Sequence, residues 1–358
     1  MASNDNVPPK LTFLEKLDLI PAFLSVIGTA LYSTIFGPFR GENGARKYTS
    51  HITHSVARQV TTRLSQRQTH ALNPTTPQSY KNFARRKGVK PDTVTLEHGG
   101  LGHWVGNKDA KAVLIYYHGG GFELSADAAY FEYLSDLIDE LNASGKDIAV
   151  FFLTYTRTPN AVYPVQLRQS VAALSYIIND TGRKPSQIFI GGDSAGGNLS
   201  LAILSHLSHP HKDIKPLPLP EPLAGAILIA PWVSFDTTWP TLRSNGNKDI
   251  ISVKSTSRWG VSYLGGQKAD NYSEPFLAPP EWWKGVQAKD ILILAGSDEI
   301  FFSSIEEFVK KFKASVPQTT YFVGEYECHV GMILERLLGD RTETQQGKEM
   351  RSWLSARL

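Results

Sequence analysis

Residues 188–204 read IFIGGDSAGGNLSLAIL, and this stretch decides the fold. The apolar run Ile188-Phe189-Ile190 stops at Gly191 and Gly192. A single hydroxyl, Ser194, follows among Gly192, Ala195, Gly196 and Gly197, and an apolar helical pattern comes after it. G-x-S-x-G between a strand and a helix implies a tight, strained turn that pushes the serine out into a cleft. Neighbouring backbone then comes so close that side chains at Gly192 and Gly196 would clash. The helix opening at Ala195 points its amino end at the serine, which favours negative charge there. The pattern predicts a nucleophile at Ser194.

Working outward, short β-rich runs alternate with helical ones from about Asp92 onward: VTLEH, AVLIYYH, IAVFFLTY, QIFIGG, GAILIAP, DILILAG and TTYFVGE. Several are apolar without interruption, as strands covered on both faces tend to be. The expected class is α/β, with a mostly parallel sheet and helices on both faces. Before this region, two helical patterns fill Leu11 to Ser65, and the polar stretch QRQTHALNPTTPQS is expected to separate them from the rest. Lys215 to Leu223, KPLPLPEPL, reads as a rigid surface connector. The chain has 358 residues, 41% hydrophobic and 20% charged, which is a globular composition. A formal charge of +3 with no dense basic run argues against a nucleic-acid partner. Cys328 is the one cysteine, so neither an intrachain disulfide nor a multi-cysteine metal site can form.

A serine hydroxyl needs a base, and the base needs an orienting acid. His206, His209 and His211 lie at or beyond the end of the serine's own helix and read as surface or helix-end residues. His329 follows the strand-like run TTYFVGEYE and opens the helical pattern VGMILERLL, where such a base belongs. For the acid, GSDEI follows the apolar strand ending at Gly296; Asp298 is the expected residue and Glu299 its rival. Upstream, Tyr117-His118-Gly119-Gly120-Gly121-Phe122 follows another strand. It lacks the lysine of a phosphate-binding loop. Its other use is an oxyanion hole, in which backbone N–H groups stabilise a developing negative oxygen by a few kcal/mol each. Gly120 and Gly121, with Ala195, are the expected donors, while His118 and Gly119 support the loop. Such chemistry requires no metal and no cofactor.

HGGGF, TYTRTPNAVYPVQLRQ, GGDSAGGNL, GSDEI and CHVG occur in the order found in the hormone-sensitive-lipase branch of the α/β-hydrolases, which the chain resembles from roughly Val94 to its end. Fungal esterase and acetyl-hydrolase members are most similar in texture. The resemblance implies an α/β-hydrolase fold, a Ser194–His329–Asp298 triad and hydrolysis of short acyl or acetyl esters of a lipophilic small molecule. It also implies a helical cap. The expected organisation is an amino-terminal segment over 1–90, the first part of the core over 91–233, a cap insertion over 234–287 and the second part of the core over 288–358. Within the insertion, Trp239, Trp259, Trp282 and Trp283 either line an acyl pocket or simply pack the cap. The usual proline after the catalytic aspartate is Glu299 here, which is why that residue stays a rival. Two other readings share the fold. One is a biosynthetic hydrolase or acyltransferase acting on an amide, lactone or ester; the other is a non-catalytic small-molecule receptor, which the presence of His329 disfavours.

The amino end poses a separate question. Leu19 to Phe39 carries no charge and is long enough to span a bilayer, yet Ser25, Thr29 and Ser33 make a small polar stripe along one face. One reading packs this helix on the body of the protein; the other puts it in or on a membrane. Expected locations are accordingly the cytoplasm or the endoplasmic-reticulum membrane. If the helix spans, the cations following it favour a cytoplasmic catalytic domain.

Overall fold

The computed structural model describes residues 8–358. Within them an eight-stranded sheet runs in the order β1-β2-β4-β3-β5-β6-β7-β8. The strands are β1 (Thr93–Thr95), β2 (Leu101–Val105), β3 (Ala112–Tyr117), β4 (Ile148–Thr154), β5 (Ile188–Asp193), β6 (Leu223–Ile229), β7 (Ala288–Gly296) and β8 (Thr319–Gly324). From β4 across to β8 all neighbours are parallel; β2 pairs antiparallel with both β1 and β4. Every residue of β3 and β5 is buried, which explains why those strands read as unbroken apolar runs rather than alternating ones. The seven runs read from sequence all become strands, but β2, LGHWV, is an addition. Two glycines and a histidine flank or interrupt its apolar residues, and that masks the pattern.

Helices cover both faces. The first four are α1 (Phe13–Phe36), α2 (Tyr48–Arg63), α3 (Gln66–Leu72) and α4 (Thr76–Lys87). Next come α5 (Ala128–Ala143), α6 (Val165–Asn179), α7 (Ala195–Ser208), α8 (Pro240–Ser244), α9 (Val253–Leu264), α10 (Phe302–Lys313), α11 (Gly331–Leu337) and α12 (Gln345–Ser355). The expected polar separator after Ser65 is in fact α3 and the start of α4. The first opens with a reciprocal capping box between Ser65 and Gln68, and at the second the Gln78 side chain accepts the Thr75 amide (2.9 Å), a signal that was present in the S-x-x-Q and T-x-x-Q spacing.

Two segments lie over the carboxyl edge of the sheet and pack on each other. One is the α1–α2 pair; the other is the stretch between β6 and β7 that holds α8 and α9. Thr62 on α2 hydrogen-bonds Ser252 at the start of α9 (2.7 Å), and Arg258 on α9 donates to the carbonyls of Leu64 (3.2 Å) and Thr61 (3.1 Å).

Candidate active site

Ser194 sits between β5 and α7 with φ 52° and ψ −115°, a conformation strained for a residue with a Cβ. What holds it there is close backbone packing. A Cβ on Gly196 would lie 1.8 Å from the Tyr117 carbonyl oxygen, and one on Gly192 would lie 2.2 Å from the same atom. Only glycine lets β3, β5 and the first turn of α7 approach this closely. The Ser194 amide donates to Ile229 O (2.8 Å), and its carbonyl accepts from Trp232 N (3.0 Å) and Asn198 N (3.0 Å).

The glycine loop after β3 is fixed to the same turn through Asp193. This fully buried carboxylate accepts from the Gly119 amide (3.0 Å), Tyr116 Oη (2.9 Å) and Tyr130 Oη (2.9 Å). Burial raises its pKa to about 6, against the opposing effect of those donors. Gly119 is thereby spent on anchoring. Among the described residues the amides of Gly120, Gly121 and Ala195 donate to no acceptor, as an oxyanion hole requires. Trp259 of α9 backs the loop so tightly that a Cβ on Gly121 would lie 2.4 Å from its ring. His118 stacks on Tyr155 (ring centroids 4.4 Å apart), and its Nδ1 lies 2.8 Å from Gly119 O. Burial pushes the imidazole down to about 3, so it stays neutral and supports the loop.

His329 lies in the loop between β8 and α11, 3% exposed. Its Nδ1 is 2.8 Å from Glu299 Oε2. This corrects the expectation that Asp298 orients the base. Asp298 turns instead to Lys248 (Oδ1 to Nζ, 3.3 Å), while the rival residue Glu299 is fully buried against the imidazole. Glu299 Oε1 also accepts from the Gly296 amide (2.7 Å), so both carboxylate oxygens are occupied. The physical reason is the turn after β7. It sends successive side chains to opposite sides, and the second acidic residue is the one that faces β8. Burial opposes charging the imidazole. The hydrogen bond to Glu299, with the charges of Glu299, Asp249 and Asp193, outweighs it and holds the His329 pKa above the ordinary value. Nε2 has no hydrogen-bond partner among the described residues and is available as a base. Phe301 packs edge-on to the His329 ring (5.1 Å) and face-on to Trp232 (5.8 Å), whose amide holds the Ser194 carbonyl.

Other sequence candidates fall outside this cluster. His206 and His211 are buried rather than on the surface, and they tie together the loop after α7: His211 N donates to His206 Nδ1 (3.0 Å). Trp282 stacks on His209 (4.0 Å) at the far end of α7, and Trp283 packs on Phe308 and Phe312 just before β7 begins. Both therefore serve packing at the edge of the sheet opposite Ser194; of the four tryptophans, Trp259 alone touches the glycine loop among the contacts seen. Cys328 is buried, and burial pushes its thiol far up, which leaves it un-ionised. His54, Cys328 and Glu335 place ligand-type atoms within 4.8 Å of one another. Both His54 nitrogens are already engaged, with Lys248 O and Glu335 Oε1, each at 2.7 Å. Asp249, which sequence reading passed over, accepts the amide of His329 (3.0 Å) and that of Ile300 (2.7 Å).

A family profile described as steryl acetyl hydrolase matches residues 59–337. Steryl acetyl hydrolase 1 of Saccharomyces cerevisiae is 27% identical over 239 residues, which cover 62% of this chain and 54% of that protein. The chain thus spans about half the length of that yeast relative. An acetyl-hydrolase of Streptomyces hygroscopicus is 28% identical over 65% of this chain and 73% of its own length. Among solved structures, an esterase from the bacterial hormone-sensitive lipase family superposes with a TM-score of 0.61 at 22% identity, covering 80% of this chain and 92% of that one. That likeness gives the fold: an α/β-hydrolase, with the strand order and the helices on both faces described above.

Proposed function

Because the chain belongs to the steryl acetyl hydrolase family, we propose that it hydrolyses carboxylic esters of a lipophilic small molecule, releasing a short acyl group such as acetyl. The observation that carries this reading is the placement of three elements at the carboxyl ends of β3, β5 and β8. Ser194 stands on its strained turn, the amides of Gly120, Gly121 and Ala195 are unengaged among the described residues, and His329 is held by Glu299 at 2.8 Å. In this mechanism His329 Nε2 takes the Ser194 proton as Oγ attacks the ester carbonyl. The three amides stabilise the resulting oxyanion. Glu299 fixes the Nδ1–H tautomer and stabilises the imidazolium. His329 then protonates the departing alcohol, and water, deprotonated by the same nitrogen, releases the acyl group from Ser194. The relatives' printed names, steryl acetyl hydrolase and acetyl-hydrolase, support a short acyl group on a lipophilic alcohol.

The same proposal places α1 on a membrane surface. The helix is apolar over a long stretch, and Phe13, Leu17, Ile20, Leu24, Ile27 and Leu31 are all more than half exposed. Its opposite, small-residue face is pinned to α2 along nearly its whole length. Arg63 holds Asp18 through two hydrogen bonds (2.6 and 3.0 Å), Gln59 donates to Ser25 Oγ (3.1 Å), and Tyr48 Oη donates to Thr34 O (2.6 Å). If α1 crossed a bilayer it would draw polar α2 in with it, so an in-plane, half-immersed position fits better.

Hydrolysis of a p-nitrophenyl acyl series, acetate to decanoate, by the purified chain beside Ser194→Ala tests the reading. Turnover of acetate or butyrate by the wild type and none by the variant is the expected result. Equal activity in both, or none in a folded wild type, overturns it.

A further inference from the structure

Asp249 lies outside the hydrolase core, between α8 and α9, and is fully buried. Its two oxygens collect three backbone N–H groups from three segments. Oδ1 accepts from its own neighbour Ile250 (2.7 Å) and from His329 (3.0 Å); Oδ2 accepts from Ile300 (2.7 Å). One of those amides belongs to the base. Another belongs to the residue that follows its carboxylate partner, Glu299. The preceding turn repeats the link, since Asn245 Nδ2 donates to the carbonyls of Ser297 (2.9 Å) and Glu299 (3.0 Å). With Lys248 on Asp298 (3.3 Å), the residues between α8 and α9 therefore grip the β7–α10 loop at four points and the β8–α11 loop at one.

That grip is itself held from α2. Arg58 donates to the Asp249 carbonyl, and His54 Nδ1 lies 2.7 Å from the Lys248 carbonyl. Two successive carbonyls are thus bound by side chains one helical turn apart on the same face of α2. A carboxylate accepting several backbone N–H groups makes strong, charge-assisted bonds. Each amide it holds would otherwise be a buried donor without a partner.

We infer that Asp249 is a positioning residue, which fixes the relative placement of His329 and Glu299, and that Arg58 and His54 of α2 set Asp249 in turn. The inference rests on the reading of Ser194, His329 and Glu299 as the ester-hydrolysing site. It makes α2, which precedes the whole hydrolase core, a working part of that site.

A purely structural role would lower stability and leave the titration of the base alone. A positioning role alters turnover at constant substrate binding and also moves the pH profile. The charged groups facing His329 are Glu299, Asp249 and Asp193, all acidic. Asp249→Asn removes one negative charge, so the imidazole loses its proton at lower pH. The acid limb of kcat/KM, which requires the neutral base, then moves to lower pH.

The test compares the full chain with Asp249→Asn and Arg58→Met on p-nitrophenyl acetate between pH 5 and 9, alongside thermal melts. Positioning predicts that Asp249→Asn loses kcat by about a hundredfold. KM should change little, and the acid limb should shift down. A kcat within twofold of wild type overturns the inference, as does a lowered Tm with an unmoved acid limb. Should Asp249→Asn fail to fold, Arg58→Met reads the same question: kcat falls severalfold at unchanged KM if α2 sets the site, and stays at the wild-type value if it does not. A folded but inert wild type overturns the functional reading, and the inference with it. An active wild type with unaffected variants overturns the inference alone.

Discussion

The two oxygens of Glu299 divide between the His329 ring and the Gly296 amide, so this carboxylate is held at both ends and cannot drift from the imidazole. Asp298, next to it, faces a partly exposed lysine. The contrast shows what a single sequence can and cannot give at this scale. Ser194 was legible because its surroundings must be small, and Gly120 and Gly121 because only glycine suits the crowded, left-handed loop they form. His329 was legible from its place after a late strand. The choice between two adjacent carboxylates was not, because it depends on the rotation of a turn that no local pattern encodes. Asp249 was invisible for a similar reason: apart from its neighbour Ile250, the amides its carboxylate accepts from are 51 and 80 residues away.

Among elements, α9 bears most directly on the glycine loop after β3. Trp259 packs on Gly121, and Arg258 reaches Glu123 Oε1 (3.1 Å), a fully buried carboxylate just beyond the loop. His70 of α3 holds the Glu123 carbonyl (2.7 Å). Burial raises the Glu123 pKa, and Arg258 opposes that rise. Arg258→Met should leave the buried Glu123 charge offset by Trp259 and Arg157 alone and cost about 2 kcal/mol near pH 8, below the full penalty of a broken buried pair because Arg258 is partly open to solvent and the other offsets remain. The sign follows from linkage. With Arg258 gone, Glu123 binds a proton more tightly folded than unfolded, so stability is kept at acid pH and lost as pH rises through the raised pKa. Melts of the variant should therefore approach those of the wild type near pH 5 and fall behind at pH 8; a deficit independent of pH would contradict the assignment. Elements were the most legible level in the sequence. Short β-rich runs, several of them apolar without interruption, marked seven of the strands, while α3 and α4 were missed because their exposed faces are polar and only the capping spacing announces them.

At the scale of the whole molecule, α1 sets how the protein meets its surroundings. By the geometry of 3.6 residues per turn its exposed apolar side chains span an arc of about 220°. A helix docked on a protein core presents a narrower stripe, of about 100° or a little more; a lipid surface covers any width. Sequence alone left packing on the body and membrane contact as competing readings, and the structure accommodates both, one on each face. Vesicle flotation checks the account. The wild type should float with phosphatidylcholine vesicles, whereas Ile20→Glu combined with Ile27→Glu should stay behind with its kcat on p-nitrophenyl acetate unchanged. Equal flotation of the two would contradict a lipid-facing α1.

The central claim is that Ser194 is activated through His329 by Glu299. The most direct test is kcat on p-nitrophenyl acetate for Glu299→Gln and Asp298→Asn, side by side with the wild type. The account predicts that Glu299→Gln loses about 10³-fold or more, because the imidazole is then held in the wrong tautomer, while Asp298→Asn stays within a few fold of wild type. A collapse in Asp298→Asn with Glu299→Gln still active would contradict it.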